Sequence, residues 1–248
     1  MLIEMIQPHH IYSIEPFFQR QRTHADSMYT MVKTQQESFW TSDFGKKYTE
    51  RNTTQTRDDW ERFYTSNWGV TRKEMNEKFV GSLPRSTRML EVGCNSGNQL
   101  VELQEEGFTD LYGVELQSDA VEEAKARTKH VNLVCGSGFD LPFKTGFFDL
   151  VCTNGVLIHV APADLSKFFD EMYRVSKRYI WGFEYFSDDV KDINYRGHTG
   201  FLWKANYAQM MMQQFPNLKL VKEKKFPYVM PGMEANTDCM FLLEKMWA

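Results

Sequence analysis

The stretch Met89-Leu90-Glu91-Val92-Gly93-Cys94-Asn95-Ser96-Gly97-Asn98 carries the first chemical signal in the chain. An apolar run ends in an acid, and two glycines four residues apart open onto Gln99-Leu100-Val101-Glu102-Leu103. Such a pattern reads as strand, tight turn and helix. Glycine takes positive φ and lets a ligand approach the backbone. A helix start offers free N–H groups to a carboxylate or phosphate. The dinucleotide fingerprint is G-x-G-x-x-G, whereas this pattern is E-x-G-x-x-x-G. An acid two residues ahead of the first glycine repels a pyrophosphate and suits a ligand with an ammonium group. A second acid, Glu115, closes Leu111-Tyr112-Gly113-Val114-Glu115. It falls near the distance expected for a ribose-binding carboxylate at the tip of a second strand; a solvated surface acid is the alternative.

These residues need a scaffold, and the elements from Arg88 onward alternate strand and helix, which argues for a parallel sheet covered on both faces. Ser118-Asp119 caps a helix over Ala120 to Lys129. Asp164 opens a helix to Val175 with Leu165, Phe168, Phe169, Met172 and Val175 at helical spacing. Arg178 to Tyr185 reads as strand five, Ala205 to Phe215 as a Met-rich helix, Leu218 to Phe226 and Cys239 to Lys245 as strands six and seven. In open α/β sheets, ligands sit at the carboxyl ends of the strands. That rule gathers Gly93 to Gly97, Glu115, Ser137 to Asp140, Asn154 to His159, and Glu184 with Tyr185. Before the sheet lie an aromatic helix, Arg57 to Trp68, and a polar helix, Thr71 to Phe79, closed by Gly81, with Pro84 at the boundary.

At Met89–Asn98, Leu111–Glu115, Asn132–Phe143 and Phe148–Cys152 the chain resembles the class I S-adenosylmethionine (SAM)-dependent methyltransferases. The resemblance covers most of the chain after about Met75. It implies an α/β fold: a Rossmann-like, seven-stranded, mostly parallel sheet with helices on both faces and an N-terminal helical arm or lid. The expected division is an arm and lid over residues 1–84 and a SAM-binding core over 85–248, with a substrate loop at about 186–204. SAM is the implied cofactor and S-adenosylhomocysteine the product. Implied contacts are Glu91, Gly93, Cys94, Asn95 and Gly97, then Glu115 and Leu116, then Ser137, Gly138 and Phe139, then Asn154. Many family members carry Asp where this chain has Ser137; a hydroxyl still accepts a hydrogen bond from the adenine amine. Tyr48 and Arg51, in the stretch Phe39 to Asn52, either lie over the cofactor and face its carboxylate or belong to a helix docked on the core.

Methyl transfer to a hydroxyl or amine requires loss of a proton, and a neutral histidine suits that role. His159, just past strand four, is the candidate base; the alternative is a histidine bonded to a backbone carbonyl. Glu184 either orients His159 or binds the acceptor, and Tyr185 stands beside it. Tyr195, Arg196, His198, Trp203 and Lys204 form a loop able to grip an anionic ligand, or else a solvated surface. With Phe39 to Asn52, Glu91 to Gly97 and Gly136 to Phe143, this loop resembles the methylases associated with pseudaminic acid biosynthesis. That implies an O- or N-methyltransferase acting on a small polar metabolite, such as a free or nucleotide-activated nonulosonic sugar.

The remaining readings are weaker. Net charge is −4, so no basic surface argues for nucleic acid, and Thr153-Asn154-Gly155-Val156 lacks the Pro-Pro motif of exocyclic-amine nucleic-acid methyltransferases. A non-catalytic partner protein with this fold is opposed by the intact Gly93, Gly97 and Glu115; a nicotinamide oxidoreductase is opposed by Glu91 and the missing third glycine. The four cysteines are scattered and His9, His10 and His24 lack ligand spacing, so no metal is expected. No signal peptide or membrane span is read. A cytoplasmic monomer or homodimer is the expectation.

Overall fold

The computed structural model describes residues 33–53 and 56–246. The arm before Lys33, with its histidines, lies outside them. The unit that follows, Thr34–Ala248, is described by itself.

Among the described residues four helices come first: α1 (Gln35–Trp40), α2 (Asp43–Asn52), α3 (Arg57–Trp68) and α4 (Arg72–Val80). Thr34, Ser42, Thr56 and Thr71 cap them through their hydroxyls. Then follow β1 (Met89–Val92), α5 (Asn98–Glu105), β2 (Leu111–Glu115), α6 (Ser118–Arg127), β3 (Asn132–Cys135), β4 (Phe148–Asn154), α7 (Leu165–Val175) and β5 (Ser176–Tyr185). The chain ends with β6 (Lys191–Asp192), β7 (Trp203–Lys204), α8 (Tyr207–Gln214), β8 (Leu218–Pro227) and β9 (Thr237–Lys245).

The main sheet has seven strands in the order β3-β2-β1-β4-β5-β9-β8. The first five pair in parallel, and β9 joins β5 antiparallel and carries β8 at the edge. This is the expected Rossmann-like sheet. Successive side chains on a strand point to opposite faces, and the apolar residues divide accordingly. Leu90, Val151 and Ile180 join the layer under α7 and α8. Met89, Leu150 and Trp181 join the layer under α3, α4 and α5. Helices therefore cover both faces.

Two local expectations are corrected. Helix α6 begins at Ser118 behind Gln117, makes no side-chain cap and ends at Arg127. The turn before it is already braced, because Glu115 Oε1 accepts the Gln117 N–H at 2.9 Å. The segment after β5 carries a short antiparallel ribbon, with Lys191 opposite Lys204 and Asp192 opposite Trp203. Backbone pairing thus closes part of what the sequence presents as an open loop.

Candidate active site

The turn between β1 and α5 is built on three left-handed residues: Gly93 (φ 75), Asn95 (φ 46) and Gly97 (φ 78). Gly93 and Cys94 donate their N–H groups to the Val114 carbonyl at 2.7 and 3.1 Å, tying the turn to β2. A Cβ on Gly93 would stand 2.6 Å from Val156 Cγ2, so glycine is required there for space as well as for φ. Gly97 serves as the α5 N-cap residue and lies against Ala124, lining neither cavity described below.

Glu115 is buried at the tip of β2. Its carboxylate accepts Asn95 N–H at 3.0 Å and Gln117 N–H at 2.9 Å. Both oxygens are thus fixed by backbone, and each keeps a lone pair for a ligand hydroxyl. Glu91 is buried too, and burial pushes its carboxyl up to about 8. Asn154 donates to Glu91 Oε1 at 2.9 Å, while Oε2 has no partner. Asn154 in turn accepts from Arg72, which also binds Asn76 and Tyr64 and is wholly buried. A carboxylate oxygen left this way accommodates an incoming ammonium group.

Two cavities meet at this turn. The first is lined by Tyr48, Asn95, Glu115, Leu116, Ser137, Gly138 and Phe139, with Gln36, Glu37 and Trp40 from α1 over it. The second is larger, about 470 Å³, and takes its walls from α2, α3, β5, the β6–β7 loop and β9. Tyr48, Gly93, Asn95, Asn154, Gly155 and His159 line both.

The expected cofactor residues therefore divide. Tyr48, Gly93, Asn95, Glu115, Leu116, Ser137, Gly138, Phe139 and Asn154 line the first cavity. Arg51, Glu91 and Cys94 line the second. Ser137 is used differently from expectation: its hydroxyl donates to Glu37 Oε1 at 2.5 Å and accepts from Phe139 N–H at 3.1 Å. Glu37 thus brings a carboxylate to the strand-three turn from another element. Gln36, Glu37 and Gln117 escaped the sequence reading because polar residues on a short helix and after a strand have no distinguishing pattern.

The stretch from Phe39 to Asn52 does both things open to it. Trp40 and Tyr48 face the first cavity, while Phe39 stacks on Phe201 at 4.1 Å and Phe44 meets Tyr195 at 5.9 Å. Asn95 Nδ2 donates to Thr49 Oγ1 at 2.9 Å, which pins α2 to the glycine turn.

His159 lies in a 3₁₀ turn (Leu157–His159) after β4. Its Nδ1 stands 2.8 Å from the Phe201 carbonyl, and Trp40 packs edge-on at 4.4 Å. Burial lowers its pKa to about 4, against the help of that carbonyl. Because the carbonyl only accepts, Nδ1 carries the proton and Nε2 keeps its lone pair. Glu184 makes no hydrogen bond to the His159 ring. It accepts Val156 N–H at 3.2 Å and Ile158 N–H at 3.4 Å, bracing the turn that carries the histidine, and burial raises it to about 7.

From the loop, Tyr195 and Arg196 line the second cavity, as do Glu184 and Tyr185. The other loop candidates do not. His198 packs against Phe39 and Phe44. Trp203 is buried, its carbonyl accepting from Tyr207. Lys204 donates to Asn236 and lies 5.0 Å over the Tyr185 ring. The β6–β7 pairing takes these last two residues out of the loop. Among the described residues no cluster of His, Cys, Asp and Glu could hold a metal ion.

Residues 90–179 match the family model described as "Methyltransferase domain". Two curated relatives match about a third of the chain. An uncharacterized methyltransferase from Synechocystis sp. is 33% identical over 90 residues, 36% of this chain and 42% of that protein. Norajmaline N-methyltransferase from Rauvolfia serpentina is 32% identical over 94 residues, 36% of this chain and 32% of that protein. The chain thus spans less than half the length of these relatives. Geranyl diphosphate C-methyltransferase from Streptomyces coelicolor, solved with S-adenosyl-L-homocysteine, superposes with TM-score 0.58 at 14% identity, over 71% of this chain and 77% of that one. A SAM-dependent methyltransferase from Methanosarcina mazei gives 0.57 at 16%, over 68% and 96%. These likenesses establish the methyltransferase fold.

Proposed function

We propose that the chain binds SAM in the first cavity, its amino-acid end reaching Glu91 at the adjoining edge of the second, and transfers its methyl group to an oxygen or nitrogen of a small polar molecule held in the rest of the second. The observation that carries this reading is the shared wall: six residues line both cavities, so donor and acceptor meet across it. The residues suit the cofactor. Glu91 Oε2 awaits an ammonium group, Glu115 is fixed to receive two ribose hydroxyls, and Gly93 leaves room beside Val156.

SAM supplies an activated methyl group, so the protein's task is chiefly to position the acceptor. Trp40 and Tyr48 roof the shared wall and limit water. His159 Nε2 takes the proton released by a hydroxyl or ammonium acceptor, and the Phe201 carbonyl holds the ring in the required tautomer. Arg51 and Arg196, both exposed on the wall of the second cavity, receive an anionic part of the acceptor. Helices α1 and α2 act as a lid, and the segment after β5 as the acceptor loop.

The sequence resemblance to pseudaminic-acid-associated methylases puts nonulosonic sugars first in a screen. With a net charge of −4, a small molecule is preferred to nucleic acid as partner. No helix among the described residues is long and apolar enough to cross a membrane; a cytoplasmic monomer or homodimer is the setting proposed. Calorimetry with SAM and with NADH tests the cofactor, and release of S-adenosylhomocysteine across the screen tests the acceptor. Tight NADH binding without SAM binding sinks the reading.

A further inference from the structure

The second cavity has a chemical character of its own. Trp60, Tyr64 and Trp68 of α3 face Phe183 and Tyr185 of β5 and Tyr228 beyond β8. The rings touch in sequence: Tyr64–Trp68 at 4.8 Å, Trp68–Tyr228 at 5.0 Å and Tyr185–Tyr228 at 5.9 Å. Into this wall β9 brings Asp238, in register with Tyr185. Asp238 is 3% exposed, yet its Oδ1 accepts no hydrogen bond. Trp60 Nε1 and Gln99 Oε1, on the same cavity wall, are likewise buried without partners. Buried polar atoms are normally satisfied, so a group of orphans facing one space marks the place of a polar ligand.

The sign of the ligand's charge follows from the neighbours. Aromatic faces attract cations through their quadrupoles. Burial above all pushes Asp238 up to about 8 and the Glu184 carboxylate adds to it, while hydrogen bonds from Tyr228 and Trp68 and the charge of Lys204 act against them. Lys204 does not neutralise it by contact, because its ammonium donates to Asn236. The cations Arg51 and Arg196 are exposed, whereas the carboxylates of this cavity are buried. An anion at the buried end would meet acids and ring faces; a neutral hydroxyl would satisfy Oδ1 and gain nothing from the rings. An ammonium group gains from both.

We propose that the second cavity recognises a ligand carrying a protonated amino group, held by Asp238 within the Trp68, Tyr185 and Tyr228 rings. The inference deepens the proposed function, resting on it for the cavity's role as acceptor site, and names the group that anchors the substrate rather than the atom methylated. Three isosteric probes test it on the intact chain: 2-phenylethylamine, 2-phenylethanol and phenylacetate. Binding is followed by calorimetry or by the fluorescence of Trp60 and Trp68, with and without saturating S-adenosylhomocysteine. The amine binds about tenfold or more tightly than the alcohol, as a charge-assisted bond and a desolvated cation–π contact require, and phenylacetate binds least. Asp238→Asn abolishes the preference and leaves S-adenosylhomocysteine affinity unchanged. Equal binding of alcohol and amine, preference for phenylacetate, no amine binding at millimolar concentration, or a preference that survives Asp238→Asn each overturns the proposal. The wild-type comparison needs no variant to fold. Failure of S-adenosylhomocysteine to bind would sink the cofactor assignment and leave the amine preference standing.

Discussion

His159 and Phe201 are joined by a 2.8 Å contact between the imidazole Nδ1 and the backbone carbonyl. They lie on different segments, one following β4 and the other just ahead of β7, so the contact ties the β6–β7 segment to the turn that carries the histidine. It also decides the chemistry of the ring, since Nδ1 holds the proton and Nε2 can accept one.

For His159→Gln, kcat falls by about 10²–10⁴ if the ring is the base, while SAM affinity changes far less. Because burial lowers the imidazole to about 4, kcat in the wild type persists to pH 5, where an ordinary histidine is mostly protonated. Single-turnover rates across pH on both proteins read this directly. Full turnover in the variant would move the base elsewhere or show that none is needed.

Glu115 holds its place through Asn95 and Gln117 backbone N–H groups at 3.0 and 2.9 Å. Glu115→Gln keeps the shape but replaces a charged acceptor with an amide, one end of which presents N–H to those donors. Affinity for SAM drops by about 10–100-fold, the worth of one charge-assisted hydrogen bond of roughly 1.5–3 kcal/mol. Calorimetry against wild type measures it, and an unchanged Kd removes Glu115 from the ribose role.

The core of the fold was legible because its signals are local. Gly93 and Glu115 each close a short apolar run, Gly97 follows four residues on, and α7 carries its apolar residues at helical spacing. The second cavity was not legible. Trp68, Tyr185, Tyr228 and Asp238 come from elements joined only when the β8–β9 hairpin folds onto β5. Arg72 and Asn76 give α4 the look of a solvated helix, yet both are buried in a polar network with Asn154 and Tyr64. His198, Trp203 and Lys204 looked like ligand-binding residues because a loop rich in such residues has the same composition whether it grips a ligand or pairs with itself.

Gly93→Ala tests the turn by sterics. A Cβ would stand 2.6 Å from Val156 Cγ2, and φ is 75. Both effects act at the cavity wall shared by donor and acceptor. Stability falls by about 1–3 kcal/mol, the usual cost of a strained backbone residue, and SAM binding is lost more completely than stability. Pairing it with Val156→Ala relieves the clash and not the φ, so partial recovery of binding in the double variant separates the two. No recovery assigns the whole effect to backbone conformation.

Stability should depend on pH through the buried acids. Glu91 and Asp238 are pushed up to about 8, and Glu106 and Glu184 to about 7, in each case chiefly by burial. In the unfolded chain these groups titrate near the ordinary 4.5 for Glu and 3.8 for Asp. Between those values and the folded ones, the native state binds more protons than the unfolded state. Stability therefore falls as pH rises through that window. His159 has the opposite sign: its pKa drops from 6.5 to about 4 on folding, so stability falls as pH drops through that interval. From pH 6.5 to 8 the four acids set the sign of the slope: the histidine is at most half protonated in the unfolded chain there, and Lys245, lowered to about 8 by burial, is a single group acting against them. The ligand-free protein accordingly melts at a lower temperature at pH 8 than at pH 6.5. Glu91→Gln, which cannot ionise, reduces that difference. SAM reduces it too, because an ammonium group beside Glu91 Oε2 favours the carboxylate and lowers its folded pKa toward the unfolded one. Differential scanning calorimetry of wild type, Glu91→Gln and the SAM-bound protein at the two pH values gives the comparison. A melting temperature that rises from pH 6.5 to 8 would mean that these carboxyls are ionised in the folded chain. Glu91 would then have to be neutralised by Arg72 rather than held for a ligand.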